Sequence, residues 1–172
     1  MAIVPYLHII AGIALAIFSF FVADLKNWRE YYPTILFFIA GDLLYQFITY
    51  DYPLWEYAGG IDSPFLTPII LMFTAYPATI LLYLKYATKG WKSFIIHYFL
   101  WIVLFAIVEL TLGKLNLILY ANGWSVGWSI IVDFLLFLIL RIHYSYPLFG
   151  WLLYFLVSAL MILIFNIPLL NT

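Results

Sequence analysis

Three acidic residues lie inside long apolar stretches of this sequence: Asp42, Glu109 and Asp133. An acid at the centre of a membrane span costs about 2.5–3.5 kcal/mol on insertion scales, so such a residue normally faces the interior of a helix bundle. Few basic groups could meet these acids at that depth: His8, His97 and Lys114 near Glu109. The surplus of acids suits the binding of a proton, a metal cation or an organic amine.

The polar neighbours of these acids recur at helical spacing. Gln46 follows Asp42 by four residues, and Ser129 precedes Asp133 by four. Because residues four apart share one face of a helix, each pair is expected to point in the same direction. The sequence therefore predicts one acidic seam, open to the outer face, with these substrate- or cation-binding residues: Asp42, Gln46, Glu109, Ser129 and Asp133. Three aromatic residues could add cation–π contacts to an organic cation. They are Tyr45, Trp101 and Trp128.

The composition indicates whether water or lipid surrounds most of the chain. Hydrophobic residues make up 67% of the 172, charged residues 9%, and the mean hydropathy is +1.10. Soluble domains are about half apolar and about a quarter charged. On folding, a domain of about 150 residues buries only about 70% of the surface that its unfolded chain exposes. Most of the apolar surface must therefore face lipid.

The predicted fold is all-α: a polytopic integral membrane protein with six transmembrane helices in a single domain, residues 1–172. A helix needs about 20 mostly apolar residues to cross the hydrocarbon, and six stretches qualify: 4–23, 34–50, 65–84, 93–112, 125–140 and 150–169. The apolar stretch within 113–123 leaves three alternatives open, which are a loop, a re-entrant segment and an extension of the fourth helix.

The basic residues predict the orientation. Of the seven Lys and Arg residues, all but Lys114 fall in or beside the odd-numbered connections: Lys26, Arg29, Lys85, Lys89, Lys92 and Arg141. By the positive-inside rule these connections are cytoplasmic. Both termini are then outside, and Arg141 and His143 are expected at the cytoplasmic edge.

Several classes of function are disfavoured. A net charge of −1 with no basic patch gives no reason to expect a nucleic acid partner, and the absence of cysteine excludes disulfides and thiolate metal sites. The sequence lacks the metalloprotease, hydrolase and phosphate-loop motifs, and its three histidines are scattered. It therefore predicts no catalytic residue, metal site or cofactor, and leans away from an enzyme.

A family resemblance is carried by several short stretches: Gly41-Asp42-Leu43-Leu44-Tyr45, Asn122-Gly123-Trp124 and Arg141-Ile142-His143-Tyr144. Together they resemble a family of small multi-pass membrane proteins of Bacillus, Clostridium and other spore-forming Firmicutes. The resemblance implies a bacterial cell-membrane location. It transfers no functional residue, since that family has no assigned activity and its pattern has Asn rather than Asp at position 42.

Three hypotheses on function follow. The leading one is a small transporter or ligand-binding membrane protein that takes a cation or small amine through the acidic seam. The second is an accessory or scaffold protein that works through helix contacts with membrane-protein partners or as a homo-oligomer. The third is a lipid-modifying enzyme with one acid as general acid or base. Membrane lipid surrounds the protein in all three.

Overall fold

The computed structural model describes residues 3–58, 65–87 and 90–169. The Gly59-Gly60 pair, Asp62 and Lys89 lie outside these residues. Within them the chain forms seven α-helices and two short strands: α1 Leu7–Val22, α2 Trp28–Ile48, β1 Trp55–Tyr57, α3 Leu66–Phe73, α4 Ala75–Ala87, α5 Trp91–Lys114, β2 Ile118–Tyr120, α6 Val126–Ser145 and α7 Pro147–Phe165.

Among the described residues, five segments are long and apolar enough to cross a membrane: Val4–Val22, Leu66–Ala87, Trp91–Lys114, Val126–Ser145 and Pro147–Phe165. They correspond to five of the predicted spans, with ends that differ by a few residues. The chain is therefore a multi-pass membrane protein. The remaining predicted span, 34–50, corresponds to α2, which has 21 residues and begins earlier, at Trp28. It is not among the five, because polar residues such as Asp42 and Gln46 lower its hydropathy.

The predicted third span is broken in its middle. Helix α3 ends at Phe73 and α4 begins at Ala75, with the backbone of Thr74 at φ −118° and ψ −69° between them. Pro77 causes the break, since it has no backbone N–H and its ring clashes with the preceding turn of a continuous helix. The Thr74 hydroxyl donates a hydrogen bond of 2.7 Å to the Ile70 carbonyl and so satisfies one backbone acceptor at the break.

Helix α4 forms the centre of the bundle. It packs against α1, α2, α3, α5 and α6, and α6 in turn packs against α2, α5 and α7. Every side chain of α4 from Ala78 to Leu84 is buried, because protein rather than lipid surrounds it. We call the apolar core around it the lower cluster, and its most buried members are Ile80, Tyr83, Leu84, Phe137 and Leu140.

One end of the bundle is closed by a small antiparallel sheet. Strand β1 pairs with β2 in the register Trp55 with Tyr120 and Tyr57 with Ile118. Beneath the sheet lies a second apolar cluster, here called the upper cluster: Leu54, Trp124, Phe165 and Ile167. The start of α1 and the end of α7 both lie at this end, since His8 stacks on Tyr57 and Phe165 belongs to the upper cluster.

The structure also shows the conformation of residues 113–123. Helix α5 extends only to Lys114, Asn116 takes a left-handed conformation with φ 54°, and the chain then enters β2. Asparagine tolerates this conformation better than most residues because its short side chain can hydrogen-bond locally. The segment is a two-residue helix extension followed by a loop that contains a strand.

The opposite end of the bundle brings the odd-numbered connections together. The Lys85 ammonium donates a hydrogen bond of 2.6 Å to the Val22 carbonyl, and the Tyr144 hydroxyl donates one of 3.3 Å to Glu30. His143, which was expected at the edge, is buried and only 3% exposed. It is enclosed because Gly150 of α7 approaches it so closely that a β-carbon there would lie 2.6 Å from the His143 β-carbon.

Candidate functional site

A cavity of about 530 Å³ lies between the upper and lower clusters. Its walls come from all seven helices and both strands, with Phe37 and Trp101 of the lower cluster on one side and Leu54 and Trp124 of the upper cluster on the other. Small-molecule sites commonly have volumes of about 300–1,000 Å³. The cavity is therefore large enough for an organic ligand.

Four of the five predicted site residues line this one cavity: Asp42, Glu109, Ser129 and Asp133. They come from α2, α5 and α6, so helix packing brings together residues that are far apart in the sequence. Among the described residues, no Lys or Arg lines the cavity. Gln46 is the exception to the prediction, because within the described chain it lies outside the cavity wall. It is instead a polar neighbour of Asp42, one turn away on α2.

Each of the two aspartates has an oxygen that lacks a hydrogen-bond partner in the described part of the chain. Within residues 3–58, 65–87 and 90–169, the Oδ2 atoms of Asp42 and Asp133 are buried and have no hydrogen-bond partner. Asp42 has Tyr76 and Gln46 as polar neighbours. Asp133 is 8% exposed and has Glu109 as its charged neighbour. Buried polar atoms are normally hydrogen-bonded, so these two oxygens require an explanation.

Glu109 is held by the sheet. The Tyr120 hydroxyl of β2 donates a hydrogen bond of 2.6 Å to Glu109 Oε1, whereas the sequence suggested Lys114 as the residue within reach. Burial raises the pKa of Tyr120, and the hydrogen bond and charge of Glu109 raise that pKa further. The hydroxyl therefore stays protonated at neutral pH and keeps its role as donor.

Ser129 positions an aromatic residue. The Trp124 indole Nε1–H donates a hydrogen bond of 2.9 Å to the Ser129 hydroxyl oxygen, and Ser129 is 9% exposed. Both residues line the cavity. Ser129 therefore shares the cavity with Asp133, as its spacing predicted, and it also fixes the indole that borders the upper end of the site.

Aromatic rings form much of the remaining wall. Tyr45 stacks on Trp55 with ring centroids 5.5 Å apart and an interplanar angle of 11°, and both line the cavity. Of the three aromatic residues suggested for cation–π contacts, Tyr45 and Trp101 line it. In the part of the chain described, Trp128 does not, and it packs on Phe165 with centroids 5.2 Å apart.

His8 was expected only as a basic group that could meet the acids, and not as a binding residue. It lines the cavity, is 3% exposed and stacks on Tyr57, yet neither of its ring nitrogens has a hydrogen-bond partner among the described residues. The available signal was its position four residues before Gly12, on one face of the first span. His97 differs, since its Nδ1 lies 2.9 Å from the Ser93 carbonyl oxygen at the opposite end of the bundle.

The described residues contain no group of three or more His, Cys, Asp or Glu side chains placed to hold a metal ion. The arrangement offers carboxylates and an imidazole spread around an aromatic cavity. Such a site can bind a cation whose charge is accompanied by an organic body. No protein-family model, curated protein or solved structure matches the chain, so the resemblance to the Firmicutes family stays a prediction.

Proposed function

We propose that this protein binds a cation in the acidic cavity and transports it across a bacterial cell membrane. The observation that carries the proposal is the cavity lining: Asp42, Glu109 and Asp133 face one space that no Lys or Arg of the described chain enters. Two of these acids have an oxygen without a hydrogen-bond partner among the described residues. A visiting cation would supply both the missing charge and the missing hydrogen bonds.

Electrostatics favour this assignment. Charges interact several times more strongly inside a protein than in water, because the effective dielectric constant is lower. Aromatic faces such as those of Tyr45 and Trp101 add about 0.5–2 kcal/mol when a cation lies over them. The negative charges of the three acids would repel an anion, so the cavity is expected to reject it.

The proposal includes a topology of six spans with both termini outside. Helix α2 has 21 residues, about the length that crosses the hydrocarbon, and it runs from the end marked by Glu30 and Tyr144 to the end marked by the sheet. Basic residues such as Lys85 and Arg141 concentrate at the end opposite the sheet, which the positive-inside rule assigns to the cytoplasm. The sheet end, and the cavity beneath it, would then face outward.

A thermal-shift experiment tests the binding function. The purified protein in lipid nanodiscs is heated with matched panels of alkylammonium ions, inorganic cations, carboxylates and alcohols. We expect stabilisation by at least one class of cation and by no anion, and loss of that stabilisation in Asp42→Asn and Asp133→Asn.

The matched control is Glu56→Gln, which removes a carboxylate from β1 that is exposed and lies outside the cavity wall of the described residues. It should behave like the wild type. Failure of every cation to stabilise the protein, or undiminished stabilisation in both Asn variants, would contradict the proposal. Flux of the stabilising cation into proteoliposomes then tests transport. The scaffold, homo-oligomer and lipid-modifying hypotheses stay predictions.

A further inference from the structure

We infer that the cation taken by this cavity is a protonated primary or secondary organic amine with an apolar body, and that His8 is a binding residue for its N–H groups. The inference rests on the proposed function and specifies the ligand of the same site. It is carried by the unpaired acceptors, by the shape and size of the cavity, and by the aromatic lining.

The unpaired acceptors identify the donor chemistry. His8 and Asp133 are both more than nine-tenths buried, both line the cavity, and both have polar atoms without a partner among the described residues. Asp42 adds a third unpaired acceptor from α2. A neutral imidazole has one accepting nitrogen, and each carboxylate oxygen accepts more than one bond. A ligand that carries several N–H donors satisfies the three acceptors, which are one nitrogen of His8 and one oxygen each of Asp42 and Asp133, whereas a quaternary ammonium, which has no N–H, leaves them unpaired.

The cavity size argues against an inorganic ion. A metal cation needs several oxygen or nitrogen ligands gathered around one point, and the described chain holds no group of three such side chains in that arrangement. A volume of about 530 Å³ exceeds what any bare ion occupies. The space is instead in the range of sites that enclose an organic molecule.

The rest of the lining indicates the body of the ligand. Beyond the acids, His8 and Ser129, the wall consists mainly of aromatic and aliphatic side chains, among them the stacked pair Tyr45 and Trp55. Burying apolar surface against such a wall contributes about 25 cal/mol per Å². A fully hydrophilic amine would forgo that contribution, so the ligand combines an ammonium head with an apolar body.

Calorimetric titration of the nanodisc-embedded protein tests this inference with three probes of equal chain length: hexylammonium, hexyltrimethylammonium and 1-hexanol. Octyl- and decylammonium extend the series. We expect a primary ammonium to bind at least tenfold more tightly than its trimethylated counterpart, and the alcohol to bind more weakly still. His8→Phe should weaken primary ammonium binding about tenfold and leave trimethylammonium binding unchanged. Glu56→Gln should alter neither.

The outcomes separate this inference from the proposed function. Equal or tighter binding of the trimethylammonium, or binding of an inorganic cation with no amine, would overturn the inference and leave cation binding in place. Binding of no cation of any class would overturn both. The comparison of probes is made on the wild-type protein, so it does not depend on whether a variant folds. His8→Phe keeps an aromatic ring against Tyr57 and serves as the second measurement.

Discussion

The imidazole of His8 lies flat against the ring of Tyr57, with centroids 5.4 Å apart and planes 7° from parallel. The contact joins α1 to β1 and so helps to close one end of the cavity. Neither imidazole nitrogen has a hydrogen-bond partner among the residues that the structure describes. Burial raises the pKa of Tyr57, and the charges of Asp42 and Glu109 raise it further, so its hydroxyl stays neutral. The face of the imidazole stabilises the fold, whereas its two nitrogens are buried at the cavity wall.

Replacing His8 by Phe should separate these two roles. The phenyl ring keeps the aromatic contact, worth about 0.5–1.5 kcal/mol, and removes two unpaired buried polar atoms that cost about 1–3 kcal/mol. We expect the melting temperature of the ligand-free protein in nanodiscs to rise in His8→Phe and to fall in His8→Ala. Equal destabilisation in the two variants would mean that the nitrogens already have partners, and would contradict the role of one of them as a free acceptor.

Removing the Ser129 hydroxyl should leave the Trp124 indole without its acceptor. A buried donor that loses its partner costs about 1–3 kcal/mol, so Ser129→Ala should lower the free energy of unfolding by that amount. Ser125→Ala is the matched control, because the Ser125 side chain makes no capping hydrogen bond to α6. A double-mutant cycle with Trp124→Phe should give a coupling energy near 1 kcal/mol, and a coupling near zero would contradict the pairing.

The sequence contains enough information to place the long helices and the acids. Apolar stretches of about 20 residues predict spans directly, and the insertion cost of an acid predicts that Asp42, Glu109 and Asp133 turn inward. Helical spacing also predicts that Ser129 and Asp133 share a face. Helical spacing does not predict which edge of that face borders a cavity. It therefore places Gln46 in the seam, whereas in the structure Gln46 lies beside Asp42 and outside the wall of the described cavity.

The sheet could not be predicted from local sequence. Strands β1 and β2 each have only three residues, and their partners lie in two connections separated by three helices. Three residues are too few for an alternation of apolar and polar side chains to distinguish a strand from a loop. The Glu109 partner was missed for the same reason, since Tyr120 reaches Glu109 only when the chain turns back at Asn116. Lys114 was the nearer residue along the chain, and proximity in sequence was misleading there.

Two glycines in the last helices should differ sharply in their tolerance of a methyl group. At Gly150 an added β-carbon would lie 2.6 Å from the His143 β-carbon and 2.8 Å from its backbone α-carbon, whereas at Gly127 the nearest such atom is the Ser125 hydroxyl at 3.6 Å. Gly150→Ala should therefore destabilise the protein by about 1–3 kcal/mol or more through overpacking. Gly127→Ala should be neutral or stabilising by about 0.5–1 kcal/mol, since alanine favours a helix over glycine. Denaturation midpoints of the two variants, compared with the wild type, check this difference.

Thiol labelling in whole cells should determine whether α2 crosses the membrane. The sequence contains no cysteine, so a cysteine introduced at one position is the single reactive thiol. Glu56 is exposed on β1 beyond one end of α2, and Asn27 is exposed just before its other end. Substituting Asn27 leaves the neighbouring Lys26 and Arg29 in place, from which the positive-inside rule predicts the orientation.

We expect a membrane-impermeant maleimide to label Glu56→Cys in intact bacteria and to label Asn27→Cys only after the membrane is permeabilised. Tyr146→Cys, exposed at the connection between α6 and α7, should follow Asn27→Cys. Labelling of Glu56→Cys and Asn27→Cys from the same side would mean that α2 does not cross, and the six-span topology would be wrong. The reverse pattern, in which Asn27→Cys but not Glu56→Cys is labelled in intact cells, would keep six spans but turn the sheet end toward the cytoplasm. The cavity would then load from inside, and transport would have to be assayed in the outward direction.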